Sequence, residues 1–185
     1  MTWFRPKLTS RRILAATLAA ALAGVPLAAS SAAGAAQSVP RCTTASLQAW
    51  LGVGAGGGAA GSISYPLELT NVSRHTCRLY GFPGVSAIAA GTQAGTAAGR
   101  DHSGPEATVT LRPGTTVHSV LRITDVGVFQ PSACKPVTAD GLRVFAPEAF
   151  RATTIPFRFK ACSAKGPVFL HVTAVQPRVG IPGHP

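Results

Sequence analysis

Five histidines and six carboxylates are the side chains of this 185-residue chain that could exchange protons near neutral pH. A hydrolase built from them needs a nucleophile, a base and an orienting acid within hydrogen-bond reach. Only Asp101-His102-Ser103 brings the right types together locally. Neighbours in a loop do not by themselves form a triad, and no strand-to-helix nucleophile elbow accompanies them. His75 falls in a turn, His118 and His171 on strand faces read as outward, and His184 near the carboxyl end. Each reads as a solvated or half-buried polar residue. His118 and His171 could bind a metal only if their strands were adjacent, and two imidazoles without a carboxylate make a weak site. No pair of acids has a local spacing suited to general acid/base work. The expectation is a chain with no catalytic residue, no cofactor and no metal, the alternative being a secreted hydrolase or weak surface-histidine metal binder.

The amino terminus supplies a compartment. Arg5, Lys7, Arg11 and Arg12 precede an Ala/Leu run from Ile13 to Ala29 broken only by Thr17, Gly24 and Pro26, and small residues follow. A basic region, an apolar stretch and small residues make a secretory signal peptide over residues 1–36, with cleavage after Ala33 or Ala36. The run falls short of the roughly 20 apolar residues of a membrane span. Ser10-Arg11-Arg12-Ile13-Leu14 partly matches a twin-arginine motif without its usual Phe, so ordinary export is favoured. Cys42 follows Val39-Pro40-Arg41, which is no lipobox, so a released extracellular protein is expected.

Cys42, Cys77, Cys134 and Cys162 are even in number and follow an export signal, so two disulfides are the default. Three connectivities are possible. Cys42–Cys77 with Cys134–Cys162 is favoured, because each pair brackets a compact block and leaves residues 86–133 unstapled. No Cys-x-x-Cys or Cys-x-x-His offers zinc a site.

The rest of the chain must be the scaffold, and it reads as strands. With 46% hydrophobic and 12% charged residues it is too apolar for disorder. Leu47, Ala49, Leu51 and Val53 fall on one alternating face, a first strand with a short helix as the alternative, and Tyr65, Leu67 and Leu69 alternate with Pro66, Glu68 and Thr70. Thr70 to Arg74 is a polar break whose Asn71 and Ser73 favour a turn, so Gly61 to Val85 reads as a hairpin returning through Cys77. Val85–Ala89, Thr108–Leu111, Thr116–Ile123, Leu142–Ala146, Thr154–Phe159 and Val168–Ala174 complete about eight strands, the pattern of a sandwich. Gly54–Gly61 and Ala90–Glu106 read as flexible loops, and Gly127–Pro136 as a loop around Cys134. Pro66 and Pro156 belong at edges or bulges because they cannot donate to a ladder.

These residues also carry a resemblance. Leu69-Thr70-Asn71-Val72-Ser73 followed by Cys77-Arg78-Leu79-Tyr80-Gly81-Phe82-Pro83-Gly84-Val85 resembles the signature of the actinobacterial secreted family known as domain of unknown function 4232. Leu111-Arg112-Pro113-Gly114, the later cysteines and the terminal strand agree with its order. The resemblance implies an all-β fold, an immunoglobulin-like antiparallel β-sandwich, and no assigned activity. The expected layout is a signal peptide over 1–36, a short linker over 37–41, a disulfide-stapled domain over 42–177 and a flexible tail over 178–185.

Beyond residue 36 the chain holds 13 Lys and Arg against six Asp and Glu, a net charge of +7. Most of these cations are scattered singly, with Arg158-Phe159-Lys160 the densest group. Nucleic-acid readers cluster them with aromatic partners, so no specific nucleic acid is expected. A non-catalytic extracellular module that meets an anionic cell-envelope polymer, lipid head groups or another secreted protein is the functional expectation.

Overall fold

The computed structural model describes residues 38–180. The expected leader, residues 1–36, lies outside them. Thirteen strands form among the described residues: β1 (Leu47–Leu51), β2 (Gly57–Ala59), β3 (Ser62–Asn71), β4 (Cys77–Leu79), β5 (Gly84–Ala89), β6 (Thr92–Ala94), β7 (Gly99–Asp101), β8 (Val109–Leu111), β9 (Thr116–Thr124), β10 (Pro136–Phe145), β11 (Ala152–Cys162), β12 (Leu170–Thr173) and β13 (Gln176–Pro177). A seven-stranded sheet runs β1-β3-β9-β12-β7, with β2 added to β3 and β13 to β9. A four-stranded sheet runs β11-β10-β5-β6, and β4 pairs with β8 alone. The protein is an all-β sandwich.

Register explains the core. Leu69 lies between Ala49 and Val117, Leu67 between Leu51 and Ser119, and Tyr65 opposite Leu121. These inward positions of the large sheet join Val85, Ala87, Leu142, Val144 and Ile155 of the smaller one in a single buried cluster that also holds Leu79 and Leu111. Period-2 alternation puts one residue in two on this face, which is why the strands were readable.

The disulfides are Cys42–Cys77 and Cys134–Cys162. The first fastens the amino-terminal segment to β4, where the Arg78 amide donates to the Pro40 carbonyl and the Cys42 amide to the Arg78 carbonyl. Arg78 Nε also donates to the Val39 carbonyl, so residues 39–41, expected as a linker, are held against the domain. The second disulfide ties the one-turn helix α1 (Pro131–Cys134) to the end of β11.

The expected hairpin is not formed. Both edges of β3 are taken, by β1 and β2 on one side and β9 on the other, so β4 has no edge there to join and pairs with β8. Asn71 turns the chain. Fully buried, it donates through Nδ2 to the carbonyls of His75 and Leu111, at 2.8 and 3.1 Å, while its Oδ1 accepts from the amide and hydroxyl of Ser73. Its backbone bonds to the turn between β8 and β9, the Asn71 amide donating to Thr115 and the Gly114 amide donating to the Asn71 carbonyl.

Two expected loops are strands. β1 ends at Leu51, which leaves the first residues of β3 uncovered, and Gly57–Ala59 fills that edge. Between Ala90 and Glu106, β6 forms a hairpin with β5 and β7 adds to β12. The β7–β12 pair is parallel, so the sandwich is not purely antiparallel. Both prolines obey their constraint. Pro66 faces the gap between β1 and β2, where only its carbonyl is used, by the Gly52 amide, and Pro156 sits on edge strand β11 beside a bulge opposite Ala139–Gly141.

Residues 178–180, expected as the start of a flexible tail, are held against the large sheet, and the rest of that expected tail, residues 181–185, lies outside the described residues. The Arg178 carbonyl lies 3.0 Å from His118 Nδ1, and the Gly180 amide donates to Glu68 Oε1 at 3.1 Å.

Replacing Asn71 by Leu removes the buried partner of two carbonyls and two Ser73 donors, and each uncompensated buried group costs about 1–3 kcal/mol. Urea denaturation should therefore show a loss above ~2 kcal/mol, whereas Val72→Ala beside it, on an exposed side chain, should change little; a loss below ~0.5 kcal/mol for Asn71→Leu would contradict the role of this side chain. Removing the Cys134–Cys162 bridge, which closes a separation of 28 residues, by paired Cys→Ala substitution should cost about 3–4 kcal/mol on the chain-entropy model. An unchanged denaturation midpoint would show that the loop is already ordered in the unfolded ensemble.

Candidate functional site

The residues read from sequence as possible chemistry do not assemble. His102 Nδ1 meets Glu106 Oε1 at 2.6 Å, and its ring leans on Phe82 at 4.6 Å between centroids, while Arg100 lies 5.6 Å from the same ring. Asp101 turns the other way and accepts from the Ser103 amide at 3.0 Å. The Ser103 side-chain bond, then this backbone bond, with the Arg122 cation adding, holds the Asp101 carboxyl below its ordinary 3.8. The Asp-His-Ser run is thus split between two surroundings, with its acid engaged by Ser103 and its base by Glu106. His75 is exposed in the turn after Asn71 and joins that turn through its backbone, its carbonyl accepting from Asn71 Nδ2 and Ser73 Oγ and its amide donating to Ser73 Oγ.

His118 and His171 were both expected on outward faces, and only the face is right. Each is on the side of the large sheet away from the core, but residues 178–180 cover His118 and leave it 2% exposed. Glu68, its direct neighbour across β3 and β9, is buried at 3%. Glu68 Oε2 and His118 Nε2 have no hydrogen-bond partner. His171 is half-buried beside Arg122, its neighbour across β9 and β12, and packs over Gly99, where a Cβ would stand 3.1 Å from the ring. Burial first, then Arg122, holds its imidazole below the ordinary 6.5, against a smaller opposing pull from Asp101. The two imidazoles share a sheet face but belong to different rows of it. Among the described residues no group of three or more potential ligands could hold a metal ion.

The arrangement that can receive a ligand lies elsewhere. At one end of the sandwich the sheets part and leave a cleft of about 380 Å³ lined by residues of β2, β3, β9 and β11. This is within the range of small-molecule sites, roughly 300–1,000 Å³. Tyr65 and Phe157 meet edge to face at 5.3 Å, and Phe157 and Phe159 stack at 5.4 Å. All three are only partly buried although they continue the inward rows of their strands, because no facing side chain closes this end. Gly56 makes room for the tyrosine. A Cβ there would sit 2.8 Å from its ring, so only a residue without a side chain fits beside it.

Ser62 and Thr124 are paired at the ends of β3 and β9 and border the cleft through their backbone, their side chains alternating to the outward face shared by Glu68 and His118; the next residue, Asp125, accepts from the Gly127 amide through Oδ1. Lys160 follows Phe159 on β11 and alternates to the outer face, where its Nζ donates to its cross-strand neighbour Thr138 Oγ1. A second cavity, of about 360 Å³, beside Pro177 and Arg178 has no aromatic wall.

The fold and the cleft define a disulfide-stapled β-sandwich with an aromatic slot at one open end. The chain belongs to the family described as Domain of unknown function (DUF4232), whose model matches residues 42–176. No curated protein and no solved structure matches it.

The sequence marks Tyr65, Phe157 and Phe159 only as strand residues and leaves Asp125 unremarked. A signal was present in outline: a chain with 6% aromatic residues places two phenylalanines two apart on one strand beside a lysine, and a run of glycines before a tyrosine. Linking the two halves requires knowing that β11 faces β3.

The His171 environment predicts a pH dependence. Its folded-state value is depressed, so above 6.5 the imidazole is neutral in both states, and below 6.5 the unfolded chain takes up the proton first. Stability should fall as pH drops from about 6.5 to the lower folded-state value and then level, until Asp101 begins to contribute in the same direction below 3.8. Denaturation midpoints from pH 8 to 5 should show the fall in the parent, and His171→Gln should reduce it; an equal fall in both would place the proton uptake elsewhere.

Proposed function

We propose that the chain is an exported, non-catalytic binding module of the actinobacterial secreted branch its sequence resembles, and that it holds its ligand in the aromatic cleft between the sheets. The observation that carries this reading is the cleft itself. Three aromatic side chains that would close the core in a sealed sandwich are instead half-open to solvent, with Ile63, Ile123 and the Asp125 turn beside them. Apolar walls with a few placed polar groups are the usual composition of a ligand site. The partner is cell-envelope material, anionic polymer included, or another secreted protein.

Export rests on the signal-like segment 1–36 and is supported by two disulfides, which persist in oxidising compartments. Among the described residues no helix is long and apolar enough to cross a membrane. The non-catalytic reading is supported by the separation of His102, engaged by Glu106, from Asp101 and Ser103, which bond to each other.

Intact mass of protein recovered from culture medium should show a mature start between about Ala33 and Gln37; material retaining Met1–Ala29 would overturn export. Retention of the purified protein on its native cell envelope tests the cleft. Gly58 has open space where a Cβ would stand, so Gly58→Phe places a ring at the mouth without forcing the backbone. Retention should fall at least about tenfold in Gly58→Phe, a loss near 1.4 kcal/mol, and should survive 1 M salt, where screening shortens to about 3 Å. Retention that Gly58→Phe leaves unchanged and that salt abolishes would assign the contact to dispersed charge instead.

A further inference from the structure

The cleft lies between two strand edges that no other strand covers. β11 pairs only with β10 and ends the smaller sheet, while β2 pairs only with β3 and stops after three residues. β11 is 11 residues long. β1 abuts it, and the Thr44 hydroxyl donates to the Arg151 carbonyl where β11 begins, but β1 stops at Leu51, so Phe157 and Phe159 lie across the cleft from Gly58 and Ala59 instead. Among the described residues the backbone of this part of β11 makes no bond outside its ladder with β10. A row of free N–H and C=O groups is a template for another strand.

The two faces of β11 specify which strand fits. Phe157 and Phe159 turn into the cleft beside Tyr65 and Ile63, and Ile63 is 47% exposed although it continues the core row. Arg158 and Lys160 alternate to the outer face, which Arg143 shares through its pairing with Thr154. Asp140, the acid of β10, has its Oδ2 on the Ala90 amide, and among the described residues neither Arg158 nor Lys160 has a carboxylate within ion-pair distance. A second copy of β11 would bring the cations of both chains onto one face, and like charges across a strand pair are destabilising. An acyl chain would fill the aromatic slot but use neither the free backbone nor the cations. Resting on the reading of this cleft as the ligand site, we propose that the partner is a protein segment in extended conformation that adds to the free edge of β11, its apolar residues alternating into the cleft on Phe157 and Phe159 and its acidic residues onto Arg158 and Lys160. β2 carries nothing larger than a methyl group, which leaves width for the incoming side chains.

The test is an NMR titration of the purified protein with a blocked peptide of alternating Val and Glu, with its Lys-for-Glu counterpart and a Val-block/Glu-block peptide of the same composition as comparators. The expected result is saturable binding of the alternating acidic peptide, with amide shifts at 157–161 and a Kd that weakens only severalfold between about 0.05 and 1 M salt, because apolar and backbone contacts are not screened. Both comparators should bind at least about tenfold more weakly, and the double variant Arg158→Glu, Lys160→Glu should reverse the preference between the Glu and Lys peptides with an unchanged denaturation midpoint. A strand presents alternate N–H groups to each edge, so of two peptides N-methylated at every Val or at every Glu, one should lose binding at least about tenfold and the other keep it. Binding kept by both N-methylated forms would show side-chain docking without strand addition and overturn the proposal, as would a concentration-dependent dimer of the parent with no peptide binding, which gives the edge to a second copy. Failure of the acidic peptide while envelope retention still falls in Gly58→Phe would overturn the strand assignment and leave the cleft as the site. Shifts at exposed arginines alone, with retention that Gly58→Phe leaves unchanged, would overturn both.

Discussion

The buried amide of Asn71 is the interaction on which the rest of the arrangement depends. A strand with neighbours on both edges must send the chain away when it ends, and the departing backbone has polar groups that need partners. Asn71 supplies them at one point: its side chain satisfies the His75 and Leu111 carbonyls and the Ser73 donors, while its own backbone is held by Gly114 and Thr115. One residue therefore joins the end of β3, the turn after it, strand β8 and the turn into β9. Such a network is stabilising only when complete, because a half-satisfied amide in the interior costs more than an apolar side chain. The Cys42–Cys77 bridge then secures β4 and the amino-terminal segment a few residues further on.

From that corner the two ends of the sandwich acquire different characters. Near Asn71 the core is dense and closed, with Leu69, Leu79, Leu111 and Val117 all essentially buried. At the far end of β3 the inward rows continue through Tyr65 and Ile63, but the wall opposite is the edge strand β11, bent by its bulge beside Pro156. Ile63 is 47% exposed although it lies on the core-facing side. The opening is thus a consequence of where strands end and bend. Flexibility of the glycine-rich segment is not required, since Gly57–Ala59 is paired to β3.

Alternation made most long strands legible, because Leu47, Ala49 and Leu51, or Val117, Leu121 and Ile123, place one face on the core irrespective of partner. What period-2 patterning does not contain is the partner. Cys77–Leu79 was read as returning along β3, yet it pairs with Val109–Leu111, a choice made by the occupied edges of β3 and by the Asn71 amide. Residues 92–94 and 99–101 were read as loop because short edge strands of small and polar residues lack an apolar rhythm; their pairing is dictated by β5 and β12. His118 was misjudged for a related reason. Its strand face was correctly outward, but the chain returns 60 residues later to cover it, and no local pattern reports that return. The cleft failed to show itself in the sequence on the same ground: Tyr65 and Phe157 are 92 positions apart, and each alone is an ordinary strand aromatic.

The central claim is that contact with the partner occurs at the open aromatic end of the sandwich, and hydrogen–deuterium exchange of the protein bound to its native cell envelope locates that contact without substitution. Amides of residues 57–65, 123–126 and 157–160 should exchange more slowly in the bound form, while the Phe82, Arg100 and His102 corner and the Asn71 turn remain as in the free protein. Protection confined to that corner, or spread evenly over the exposed arginines, would contradict the account.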